Sequence, residues 1–125
     1  MKRPFGPTEH GAIDYAFVAI LALGPRIFGL NTTARNISYG FAAAAGLLNG
    51  ATAHGLSPYP AIPAKLHGQA DVPFIPVLLL LPWVTGALKR RNARRFFACF
   101  FLLALTNFLL TDYDAPASDW APGRD

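Results

Sequence analysis

The chain has 125 residues, 53% of them hydrophobic and 14% charged, with a formal net charge of +4. Soluble domains carry roughly 25% charged residues, so this composition argues against an ordinary water-soluble globule. One cysteine, Cys99, excludes an internal disulfide, and the length is that of one folded unit.

In chain order, residues 1–8 read as an irregular lead-in with Thr8 as the candidate N-cap. A first helix is predicted from about Glu9 to Leu30, with Pro25 kinking or ending it and Arg26 reaching lipid headgroups. Glu9, His10 and Asp14 interrupt its start and no Ala-x-Ala site follows, so it is not a cleaved signal peptide. A second helix is predicted from about Ala34 to Ala53. Ala42, Gly46 and Gly50 form a small-residue stripe on it, suited to close approach of helix backbones in lipid, and His54 is the stripe's next member. Residues 55–65 form a stiff, proline-rich external loop. A third helix, from about Leu66 to Leu88, is expected to bend at Pro73, Pro76 and Pro82. The fourth runs from about Ala93 to Thr111, followed by a mobile tail over 113–125 in which Trp120 rests at the membrane interface.

No Lys, Arg, Asp or Glu occurs from Asn36 to Ala64, from Val72 to Leu88 or from Phe96 to Thr111. Four apolar segments separated by charged knots predict four membrane-spanning helices. The N-terminus, the central loop and the C-terminus then share one side, with Lys2, Arg3, Lys65, Arg124 and every acid of the chain. The opposite side holds Arg26, Arg35, Lys89, Arg90, Arg91, Arg94 and Arg95 and no acid. The positive-inside rule puts that side in the cytoplasm and both termini in the periplasm of a bacterial inner membrane. The run Lys89 to Arg95 is a short turn between spans, so its partner is anionic lipid headgroups and not nucleic acid.

His-Gly-x-x-Asp occurs at His10–Asp14 and again at His67–Asp71, 57 residues later. The same interval maps Phe17 onto Phe74, Leu21 onto Leu78, Pro25 onto Pro82 and Gly29 onto Gly86. The predicted fold is therefore all-α: an integral membrane four-helix bundle of two tandem helical hairpins, repeat 1 about 9–54 and repeat 2 about 66–112, in one domain spanning 1–125. The second helices match more weakly: at an interval of 58, Asn49 aligns with Asn107 and His54 with Asp112.

His and Asp four apart share a helix face and can hydrogen-bond each other or share a ligand. His10, Asp14, His67, Asp71, His54 and Asp112 are expected at one depth, the outer rim. Imidazole with carboxylate suits a divalent ion such as zinc, manganese or iron, and equally a structural tie or a proton relay. Asn49 and Asn107 are expected to make hydrogen bonds between helices. No nucleophile elbow, His-Glu-x-x-His or phosphate loop is present, which favours a non-enzymatic protein.

His10-Gly-x-x-Asp-Tyr15 followed by Pro25-x-x-Phe-Gly-Leu30 resembles a group of small, largely uncharacterised bacterial membrane proteins. Leu81-Pro82-Trp83 with Gly86 is similar to the Ser-Pro-Trp signature of SPW-repeat proteins, with Leu81 in place of Ser. Thr111-Asp112-Tyr113 matches a motif this group places after a hairpin, altered in the first hairpin to Thr52-Ala53-His54. The resemblance implies a duplicated hairpin and no particular activity. The expected function is a small inner-membrane protein whose outer His/Asp cluster is structural or binds a metal ion. It would act as a homodimer or as an accessory subunit of a membrane complex. The alternatives are an ion or proton transporter, or channel-like module, and a metal-dependent membrane enzyme.

Overall fold

The computed structural model describes residues 3–115; Lys2, Asp119, Trp120, Arg124 and Asp125 lie outside the described residues, as does the expected tail beyond Ala115. The described residues form four α-helices: α1 (Pro7–Ile27), α2 (Thr32–Gly50), α3 (Ala64–Val84) and α4 (Arg91–Leu110). A 3-10 turn, Ala87–Lys89, lies between α3 and α4. Each helix packs on its chain neighbours and α4 returns to α1, so α1 and α3 face each other across the diagonal of the bundle.

Local chemistry explains the helix ends. Pro7 opens α1, where its missing N–H costs nothing, and the Glu9 carboxylate accepts the Gly6 N–H at 3.0 Å. Gly6 is thus the N-cap in place of Thr8, whose hydroxyl instead accepts the Gly55 N–H at 3.0 Å. Pro25 does not end α1, which runs on to Ile27. There Gly29, at φ 64°, closes a Schellman motif: its N–H reaches Arg26 O and the Leu30 N–H reaches Pro25 O. Gly86 repeats the left-handed turn after α3 at φ 81°. The Asn31 side chain caps α2 by accepting the Ala34 N–H at 3.0 Å. Helix α3 is unbroken through Pro73, Pro76 and Pro82, and it ends at Val84, short of the expected Leu88.

Several contacts recur in the two hairpins at fixed intervals. Helices α1 and α3 coincide at 57 residues, Pro7 with Ala64 and Ile27 with Val84. Helices α2 and α4 coincide at 59, which corrects the interval of 58: the fully buried Ala34 and Ala93 correspond, as do Phe41 and Phe100. Phe41 meets Phe74 edge-on at 5.8 Å, and Phe100 meets Phe17 at 5.2 Å. Leu21 and Leu78 are both fully buried. A tight helix approach occurs in this apolar centre at Gly24, where a Cβ would lie 2.7 Å from the Phe96 ring, and at the polar end Gly11 and Gly68 lie equally close to the His54 and Tyr113 rings beyond α2 and α4. In the small-residue stripe, Ala42 is buried, Gly46 faces Val18 and Gly50 faces Pro58, the two glycines at ordinary van der Waals distance.

Many large apolar side chains lie on the outer surface. Leu23, Ile27, Leu47, Trp83, Val84 and Leu102 are each 60% or more exposed. Among the described residues one helix, α4, is long and apolar enough by composition to cross a membrane. The others carry polar groups within their length: Glu9, His10 and Asp14 in α1, Asn36 and Asn49 in α2, His67 and Asp71 in α3.

Candidate metal centre

Two backbone ties fix the polar end of the bundle. The lead-in pairs with the end of α4, Phe5 N–H to Leu110 O at 3.0 Å and Asp112 N–H to Phe5 O at 2.8 Å. The central loop pairs in the same way with the end of α2, Ile62 N–H to Ala51 O at 2.8 Å and Ala53 N–H to Ile62 O at 2.7 Å. Each tie sets the start of a helix, so His10 and His67 both fall at the fourth position, of α1 and α3 respectively. From the diagonal, the two imidazoles and two carboxylates converge.

They form a closed, alternating ring. His10 Nε2 lies 3.1 Å from Asp14 Oδ2 and 3.5 Å from Asp71 Oδ2. His67 Nε2 lies 3.3 Å from Asp14 Oδ2 and 3.4 Å from Asp71 Oδ2. Both histidines and Asp71 are buried. His67 Nε2 finds no well-aligned hydrogen-bond partner, because both carboxylates sit off its bonding direction. Asp14 is held from behind, Asn107 Nδ2 donating to its Oδ1 at 3.1 Å, whereas the Tyr113 hydroxyl donates at 2.9 Å to Asp71 Oδ2, the oxygen that faces the imidazoles.

A second pair of contacts sets which imidazole nitrogen carries a hydrogen. His10 Nδ1 meets Thr111 Oγ1 at 2.8 Å and His67 Nδ1 meets Thr52 Oγ1 at 2.7 Å. Each threonine has already given its one hydrogen to a backbone carbonyl: Thr111 to Asn107 O and Thr52 to Leu48 O, both at 2.6 Å. The threonine oxygens can therefore only accept, and each Nδ1 must be the donor. In a neutral imidazole the lone pair then sits on Nε2, the nitrogen that lies nearest the carboxylate oxygens. Two lone pairs facing two anions repel unless a cation stands between them, either protons on the imidazoles or a metal ion.

The geometry suits a metal ion. His10, Asp14 and His67 each offer a ligand atom, all within 4.8 Å of one another. Within this set the N···O separations of 3.1 and 3.3 Å match the roughly 3.0–3.4 Å between adjacent ligand atoms on an ion with bonds of about 2.1 Å, and Asp71 stands beside the set at 3.4–3.5 Å.

Two of the six residues expected at the rim stand outside the ring. Helix α2 ends at Gly50, so His54 lies beyond it on a turn, with both nitrogens engaged. Its Nε2 meets the Asn49 carbonyl at 3.0 Å, and its Nδ1 accepts the Leu56 N–H at 3.1 Å. Burial holds this ring below the ordinary histidine range, which keeps it neutral. Asp112 turns away, accepting the Asp114 N–H at 3.1 Å. Asn49 donates to Gly11 O at 2.9 Å, joining α2 to α1. Three residues that sequence reasoning left out of the site complete it: Thr52, Thr111 and Tyr113. Burial and the adjacent Asp71 carboxylate push the Tyr113 phenol above its ordinary range, so it stays a donor.

At the far end, Asn92 Nδ2 bonds Phe28 O at 3.1 Å and Gly29 O at 3.0 Å, locking α4 to the end of α1. Lys89, Arg90, Arg91, Arg94 and Arg95 are exposed there, opposite the ring. The chain matches no family model, no curated protein and no solved structure.

Proposed function

We propose that the chain is a four-span membrane protein of two tandem hairpin repeats, holding one divalent transition-metal ion in the ring His10–Asp14–His67–Asp71 at its non-cytoplasmic end. One observation carries this reading. Both imidazoles are fixed by threonine acceptors, with Nε2 beside the buried Asp71 and half-buried Asp14 carboxylates. Two neutral imidazoles and two carboxylates carry two negative charges, which one divalent ion neutralises. Duplication is supported by the matching ties, threonines and aromatic pairs at intervals of 57 and 59 residues. The membrane reading is supported by the exposed apolar faces, and its orientation by the five basic side chains opposite the ring, which suit anionic headgroups. We read the centre as structural or ligand-holding.

The test is metal analysis of the full chain purified in detergent from carbonate-washed membranes. One equivalent of zinc, manganese or iron is expected, and loss of it in Asp14→Asn/Asp71→Asn. A protein that leaves the membrane in carbonate overturns the membrane reading. One that neither retains a metal nor binds added zinc overturns the metal reading.

The threonines supply a finer check. Thr52→Val and Thr111→Val keep the shape and remove the hydroxyl that orients an imidazole, together with its bond to a carbonyl one turn back. Each is expected to weaken zinc binding by about 10- to 100-fold, as loss of such supporting hydrogen bonds does elsewhere, measured against a competing chelator.

A further inference from the structure

Beneath the ring lies a cavity of about 140 Å³, walled by Ala44, Leu48, Ala70, Phe74 and Phe100 and closed at one end by the ring side chains. Its walls are apolar apart from that end. Ala44 lines the cavity and is itself exposed, so the space opens sideways between α2 and α3, through the outer surface of the bundle.

The duplicated frame provides an internal control for this opening. At the intervals of 59 and 57 residues, Ala44 corresponds to Leu103, Leu48 to Asn107 and Ala70 to Ile13. Along the α4/α1 seam these positions carry larger or polar side chains, and Asn107 is spent on Asp14. At this level of the bundle the α2/α3 seam carries two alanines where the α4/α1 seam carries Leu103 and Ile13.

We propose that this cavity binds a small, uncharged aromatic alcohol of phenol size, entering laterally between α2 and α3. The volume is close to the ~150 Å³ of an apolar cavity that accepts benzene. Phe74 and Phe100, joined by Phe17, offer ring edges and faces to an aromatic body. The polar end presents the carboxylates of Asp14 and Asp71, which accept a hydroxyl hydrogen. A charged body would be stripped of water against apolar walls at high cost. The proposal does not rest on a metal: the carboxylates accept the hydroxyl whether the imidazoles carry protons or an ion.

The experiment is fluorine NMR of 4-fluorophenol and fluorobenzene added to the full chain in nanodiscs, with zinc and after chelation, against empty nanodiscs. Saturable binding of 4-fluorophenol above lipid partitioning is expected, with fluorobenzene at least tenfold weaker. Ala44→Leu/Ala70→Ile, which transplants the side chains of the α4/α1 seam, should weaken 4-fluorophenol at least tenfold while the helical circular dichroism is retained. If that pair unfolds, Ala70→Ile alone carries the comparison. Binding indistinguishable from empty nanodiscs, or unchanged in the filled variant, overturns the proposal; equal binding of both probes overturns the role of the carboxylates. Metal content, read on the same samples, fails or succeeds separately.

Discussion

Alanine at both His10 and His67 is expected to abolish metal retention and to lower thermal stability at the same time. Zinc affinity should fall by roughly a thousandfold or more, since both nitrogen ligands of the proposed centre are gone and two carboxylates alone hold such ions poorly. Stability should also fall, because Asp71 is buried and Asp14 mostly so, and each loses both of its imidazole neighbours. Removing one side of a buried charge pair costs about 3–5 kcal/mol, more than the intact pair contributes. The two effects separate when Asp14→Asn and Asp71→Asn are added to the double alanine variant. Neutral amides relieve the stranded charge, so thermal stability should recover in part while zinc binding stays lost. A double alanine variant that still binds one equivalent of zinc with unchanged affinity sinks the ring as a metal centre.

A methyl group at Gly68 should be nearly as damaging, without touching a ligand. A Cβ there would lie 2.8–3.0 Å from three ring atoms of Tyr113, too near the start of the ring for a flexible tip to swing clear. The phenol must move, and its hydrogen bond to Asp71 goes with it. Overpacking of this kind costs about 1–3 kcal/mol, and Gly68→Ala should lower the unfolding temperature accordingly. In a Tyr113→Ala background the same substitution should cost little, because the obstructing ring is absent; that non-additivity is the signature of direct contact. Gly40→Ala is the control, with nothing within 4 Å of its Cβ, and should be neutral or stabilising. Equal losses at Gly40 and Gly68 would show a general helix effect.

Much of this site was legible in the residues. The 57-residue repeat and the (i, i+4) His–Asp pairs identified all four members of the ring, since a helix fixes which side chains share a face. The register of the second helices was not legible, and the reason is a turn. Residues 85–90, with their 3-10 turn, separate α3 from α4, whereas only residues 28–31 separate α1 from α2. Two extra residues move the interval from 57 to 59 and put Tyr113 where His54 stands. His54 was expected in the cluster because a helix continued to Ala53 would carry it there; the actual end at Gly50 turns it aside. The threonines were hidden for a different reason. His10 pairs with Thr111, 101 residues away, and His67 with Thr52, so the contacts depend on how the hairpins are placed side by side. Local periodicity carries no information about that placement.

The crossed pattern of those threonines has a consequence for how the protein is built. The first hairpin's imidazole leans on the second hairpin's hydroxyl, and the reverse. Asp14 likewise touches the imidazole of the other half as closely as Asp71 does. Neither half therefore owns the centre. It comes into being only when the two hairpins dock, so an alteration confined to one of them reaches side chains of the other.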